Sequence, residues 1–353
     1  MDFLRSRQVN GDAFENLGKG AAKVNATNGN HPQICRQNIG DAEISYLLYE
    51  GEGPPLIFLH ATGFQPWLWH PLARELAGAY RIVAPSFCNH REPDPENGGL
   101  SWATLAEDTI RLCDALQLTR PFLVGHSMGA TVHMIANAFY GLPAAGMVLI
   151  EPILLPREFY LGHMRVDEHP LAARAIKRTN FWRDRDEAMA YLRSRALFQG
   201  WDEEMLELYI NHGMTGGENG GLRLACSPRQ EAALFMGGRQ FDPWPLLPKV
   251  SCPVLIVEGE QSENRGFIDL DRIQSLIPNC ERRLVKDAGH LIPMERPREV
   301  TLLIREFFSA PRLEEKGPVS RSICRQHSQD ESHDFAAREA RAGRGSGRAG
   351  SNL

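Results

Sequence analysis

The chain lacks any apolar run approaching the length of a membrane span, and its opening stretch, MDFLRSRQVNGDAFENLGKG, has charges where a secretion signal would need an apolar core. Both absences argue for a cytoplasmic protein. Excess positive charge is missing too: 39 Lys and Arg against 44 Asp and Glu leave a net charge of -5, which predicts no nucleic acid partner and no anionic membrane partner. The seven cysteines, at positions 35, 88, 113, 226, 252, 280 and 324, are odd in number and scattered. Neither a disulfide framework nor a closely spaced zinc-ligand set is visible, and a reducing compartment is expected. Asn25-Ala26-Thr27 fits a glycosylation sequon, but without a secretion signal it reads as an accident of composition. No internal repeat is apparent.

What is present is the composition of a globular protein, 42% hydrophobic and 24% charged over 353 residues, enough for one large α/β domain carrying an insertion. Short apolar runs at Ile44–Tyr49, Leu56–Leu59, Tyr80–Ala84, Phe122–Val124 and Met147–Ile150 read as strands, with helical spacing between most of them. Strands apolar on both faces and alternating with helices predict a mostly parallel sheet covered on both sides. The alternation stops over 155–245, where helical charge patterns dominate and no buried strand is evident, and it resumes with strands at Val254–Val257 and Arg283–Val285. The reading is a flexible extension over 1–33, an α/β core over 34–154 and 246–310, a helical lid or cap over 155–245, and a disordered tail over 311–353.

The chemistry centres on Pro121–Gly129, PFLVGHSMG, a buried strand ending in Gly125-His126-Ser127-Met128-Gly129. A strand that turns at once into a helix crowds the residues two before and two after the serine, where glycine is needed, and pushes the serine side chain out. The helix that follows directs N–H groups toward developing negative charge.

With His60-Ala61-Thr62-Gly63-Phe64 after an earlier strand and Asp287-Ala288-Gly289-His290 near the end, the chain resembles the α/β-hydrolase superfamily over about residues 40 to 310. The resemblance implies an α/β-hydrolase fold with Ser127 as nucleophile and His290 as general base. The superfamily's usual acid position, an aspartate in G-x-x-D after the strand at Val254–Val257, is taken here by serine in Gly259-Glu260-Gln261-Ser262. Glu260 and Glu263 stand near it but out of register. A second acid position known in the superfamily, after the strand that follows the nucleophile helix, carries Glu151, which is preferred, with Glu263 or Glu260 as the alternative. The oxyanion hole would use the N–H of Met128 and one from the 60–64 loop, Thr62 first, with Ala61 or Gly63 as alternatives because Ala61 stands where glycine is common. Phe64, Trp67 and His126 are candidate pocket residues, His60 a support for the loop, and Arg157, Arg165, Arg174 and Arg178 of the lid read first as a solvated helical face and only second as a hint of a carboxylate on the substrate.

These expectations make the protein a serine hydrolase cleaving a carboxylic ester, lactone, thioester or amide through a Ser127 acyl-enzyme, on a small-molecule acyl substrate, with no cofactor and no metal. The alternatives are a small-ligand binding protein or receptor on the same fold with little turnover, a hydrolase of a carbon–carbon bond, and acyl transfer to an alcohol. The serine excludes the aspartate-nucleophile chemistry of dehalogenases and epoxide hydrolases. The sequence carries no reading of the oligomeric state.

Overall fold

The computed structural model describes residues 31–217 and 220–310. The tail expected over 311–353, and the extension expected over 1–33 as far as residue 30, lie outside the described residues. The strands are β1 (Gln33–Asn38), β2 (Glu43–Tyr49), β3 (Pro55–Leu59), β4 (Arg81–Pro85), β5 (Phe122–His126), β6 (Gly146–Ile150), β7 (Met214–Gly216), β8 (Leu222–Leu224), β9 (Val254–Gly259) and β10 (Cys280–Val285). The helices are α1 (His70–Leu76), α2 (Trp102–Ala115), α3 (Met128–Ala138), α4 (Pro170–Ala175), α5 (Arg185–Arg193), α6 (Glu203–Gly213), α7 (Pro228–Gly237), α8 (Leu270–Leu276), α9 (Ile292–Glu295) and α10 (Pro297–Ser309).

Eight strands form one sheet in the order β1-β2-β4-β3-β5-β6-β9-β10, antiparallel at the β1–β2 and β2–β4 pairs and parallel from β4 to β10. Every residue of β6 and β9 is buried, as strands covered by helices on both faces require. Alternate side chains enter different cores: Ile57, Leu59, Leu123, Met147 and Leu149 pack with residues of α2 and α3, while Leu56, Phe58, Val124, Val148 and Ile150 pack with residues of α1 and α10. Each such side chain, buried in full, contributes about 1.5–3 kcal/mol. Ser101 caps α2, its side chain accepting the Ala103 N–H.

Strand order reverses between β3 and β5, because β3 leads to β4 on one side and β5 leads to β6 on the other. The loops leaving β3 and β5 therefore flank a topological switch point, where open α/β sheets bind ligands. Those loops carry residues 60–64 and Ser127.

Two short features depart from the sequence reading. β1 is an edge strand that begins inside the stretch expected as an extension, and Ile34, its only aliphatic residue, is 70% exposed. Its pairing with β2 supplies what burial does not. Within 155–245, β7 and β8 form a separate antiparallel hairpin of three residues per strand, where only helices and loops were expected. The same segment holds α4 to α7, and α7 begins with a complete capping box between Ser227 and Gln230.

Candidate active site

Ser127 sits between β5 and α3 with φ 55 and ψ -115, a backbone conformation that is costly for a side chain larger than glycine. Its N–H bonds to the Ile150 carbonyl at 2.9 Å, tying the turn to the end of β6. The flanking glycines are explained by contact: a Cβ on Gly125 would lie 2.5 Å from the backbone of Gly129 and Ala130, and one on Gly129 would lie 2.3 Å from the Leu59 carbonyl oxygen. The tight turn and the approach of α3 to β3 both need those positions bare.

Register then decides what surrounds the serine. His126 stands opposite Ile150, and Ile150 opposite Val257, so β5 and β6 end at one level while β9 runs two residues further, to Gly259. The next residue of β6 is Glu151, at a positive φ of 47, with its N–H on the Val257 carbonyl. Its carboxylate is buried and crosses to the end of β9, where Oε1 accepts the Gly259 N–H at 2.8 Å and Oε2 accepts the Ser262 hydroxyl at 2.7 Å. Burying a carboxylate is tolerable only with such donors.

His290 arrives on the loop after β10, and that loop lies directly on β9: a Cβ on Gly259 would sit 2.2 Å from the Gly289 carbonyl oxygen. Its Nδ1 is 3.2 Å from Glu151 Oε2 and its Nε2 is 3.1 Å from Ser127 Oγ. The carboxylate can only accept, so Nδ1 carries the proton and Nε2 presents a lone pair to the serine hydroxyl. The alternative acids lie elsewhere. Glu260 and Glu263 are both exposed, and the Glu260 carboxylate accepts the Asp287 N–H at 3.2 Å.

Three buried histidines are held neutral. His126 donates from Nε2 to the His290 carbonyl oxygen at 2.9 Å, and burial, then the nearby His290, push its pKa well below the usual value. His60 accepts the Phe87 N–H at Nε2 and so donates from Nδ1 to the Ala61 carbonyl; burial lowers it to about 4. His133, lowered by burial to about 3, has its Nε2 on the Val124 carbonyl beneath α3.

The 60–64 loop closes with the Phe64 N–H on the Ala61 carbonyl at 3.1 Å, and Gly63 has a φ of 78. That carbonyl, bonded also by His60, fixes the peptide plane it shares with Thr62, so the Thr62 N–H points the opposite way. Met128 is the first residue of α3, where an N–H has no acceptor within the helix. A Cβ on Gly63 would lie 2.7 Å from Oε1 of Glu231, a buried residue of α7 whose other oxygen takes the Arg178 guanidinium at 2.5 Å. Arg178 also reaches the Tyr209 hydroxyl at 3.3 Å. The other three arginines face outward: Arg157 toward Asp242, Arg165 toward Asp167, and Arg174 on the exposed side of α4.

Phe64 and His126 line a cavity of about 10 Å³ together with His60, Ala61, Trp69 and Met294. That is room for about one water molecule. Trp67 is placed apart from it, stacked on His212 at 3.8 Å between ring centroids. Two roles beside this line escaped the sequence reading: Ser262, which donates to Glu151, and Asn264, whose amide Nδ2 lies 2.8 Å from His290 Nδ1. Ser262 carried a signal, since it occupies the position where the superfamily's acid is usual. Among the described residues no group of three or more His, Cys, Asp or Glu side chains could hold a metal ion.

Comparison with known proteins agrees with this architecture. The chain is 26% identical over 261 residues to a 2-(acetamidomethylene)succinate hydrolase of Mesorhizobium japonicum, covering 74% of this chain and 90% of that protein. It is 22% identical over 238 residues to the esterase YbfF of Escherichia coli, covering 67% of this chain and 86% of that protein. A crystal structure of E-2-(acetamidomethylene)succinate hydrolase superposes with a TM-score of 0.67 at 25% identity, over 79% of this chain and 99% of the other. The model of the alpha/beta hydrolase family matches residues 56–301, and the chain belongs to that family.

Proposed function

We propose that the protein is a serine hydrolase that cleaves a carboxylic ester or a related acyl bond through an acyl-enzyme on Ser127. One observation carries this reading: Ser127 Oγ, His290 Nε2, His290 Nδ1 and Glu151 Oε2 form an unbroken line with gaps of 3.1 and 3.2 Å. In the first half-reaction Ser127 Oγ attacks the substrate carbonyl while its proton passes to His290 Nε2. Glu151 orients the imidazole and stabilises its charged form. The oxyanion is received by the Met128 N–H and the Thr62 N–H. His290 then protonates the leaving group, and water activated by the same nitrogen releases the acid.

The esterase among the relatives supports ester cleavage, and the succinate hydrolase supports substrates that carry carboxylates. Arg178 supports the second point less than a bare guanidinium would, because Glu231 already neutralises it. The test is turnover of a panel of p-nitrophenyl esters, lactones, thioesters and amides, with and without an added carboxylate on the acyl part, by wild type and Ser127→Ala. Turnover of at least one class by wild type, reduced to background in the variant, is expected. Wild-type turnover equal to that of the variant across the panel would leave the fold serving as a binding protein.

A further inference from the structure

His290 Nδ1 has two neighbours, and the nearer is not the carboxylate. As placed, the Asn264 amide nitrogen Nδ2 lies 2.8 Å from it, against 3.2 Å for Glu151 Oε2, and a half-turn of the amide exchanges its nitrogen and oxygen at that spot. Asn264 belongs to the short helical turn Glu263–Gly266 after β9, and Ser262, two residues earlier, starts that turn by accepting the Asn264 N–H at 3.3 Å. One side chain of this turn thus holds Glu151 while another meets the histidine.

An amide can present its nitrogen or its oxygen, and the surroundings choose. With the NH2 group toward Nδ1, the ring nitrogen would have to be bare. Glu151 Oε2 would then face a lone pair, and Nε2 would carry the proton, leaving Ser127 with no base. With the amide turned by 180° so that its carbonyl oxygen faces Nδ1, the contacts of the ring agree: Nδ1–H is shared between two acceptors, and Nε2 faces the serine. The geometry points to Asn264 as a positioning residue that accepts the Nδ1 proton of His290 alongside Glu151. Glu151 supplies the charge, and its Oε2 is divided between His290 and Ser262. Asn264 supplies the shorter contact and locks the tautomer. Of the titratable groups nearby, His126 is neutral at 5.0 Å between ring centroids, and Glu295, beside Gly289, has its carboxylate engaged by the Gly289 N–H.

This rests on the serine hydrolase reading, and its test separates the two. On an ester that wild type turns over, the lower limb of the kcat/KM against pH profile reports the protonation of His290 in the free enzyme. Asn264→Asp places a second anionic acceptor at Nδ1 and should raise that limb by about one pH unit. Asn264→Ala should lower kcat about 3- to 30-fold with KM nearly unchanged. In Glu151→Gln/Asn264→Asp, the carboxylate at 264 should restore at least tenfold of the activity that Glu151→Gln loses. A limb unmoved in Asn264→Asp, or a double variant no better than Glu151→Gln, overturns the role of Asn264 while wild-type turnover keeps the hydrolase reading intact. Loss of wild-type turnover that depends on Ser127 would instead strike the hydrolase reading itself.

Discussion

Ser262 donates its hydroxyl hydrogen bond to Glu151 Oε2 at 2.7 Å. The side chain at the position usual for the acid therefore holds a carboxylate that comes from a different strand, and the two positions act as one device. Removing the donor leaves a buried carboxylate with the Gly259 N–H and His290 only. Hydrogen bonds to charged groups are worth about 1.5–3 kcal/mol, and part of that appears in the alignment of His290. Ser262→Ala is expected to lower kcat/KM about tenfold with the fold retained, measured by steady-state ester hydrolysis beside thermal melting.

Glu151 should be far less replaceable than the alternative acids Glu260 and Glu263. Glu151→Gln preserves shape but removes the charge that stabilises the imidazolium, and kcat should fall on the order of 10²- to 10⁴-fold. Glu260→Gln and Glu263→Gln should stay within about twofold of wild type, since both side chains are exposed. A large loss in either, with Glu151→Gln near wild type, would return the acid to the loop after β9.

Stability should fall on acidification before most carboxylates titrate. His60, His126 and His133 are held below their usual pKa by burial, so the unfolded chain binds protons near pH 6.5 that the folded chain refuses. A histidine with a depressed folded pKa leaves stability untouched above pH ~6.5 and removes about 1.4 kcal/mol per pH unit below it. The three together predict a slope of about 4 kcal/mol per unit between pH ~6 and ~4, the lower end set by His60. Urea unfolding across that range should show it, and His133→Gln should remove about one third of the slope.

Much of this arrangement was legible in the sequence because it depends on local rules. Gly125 and Gly129 announced the elbow, and the contacts that forbid a Cβ there are the reason. The β6 pattern Met147–Ile150 announced a buried strand, and its register with β5 brings Glu151 to the level of Ser127. What stayed hidden depends on long-range contact. Asn264 meets His290 only because the β10 loop folds over Gly259, and nothing in the spacing of an asparagine signals that approach. Glu231 lies against Gly63 across a separation in sequence that no local pattern spans. β1 was missed for the opposite reason, since its polar side chains gave no burial signal and its stability comes from pairing with β2.

The central claim is that His290 makes Ser127 a nucleophile, and covalent capture tests it most directly. The protein would be treated with a fluorophosphonate at neutral pH, and the adduct located by peptide mass spectrometry in wild type, Ser127→Ala and His290→Ala. The account predicts one adduct per chain on Ser127, absent in Ser127→Ala and formed at least 10²-fold more slowly in His290→Ala. An adduct on another residue, or labelling of Ser127 at the same rate without His290, would contradict it.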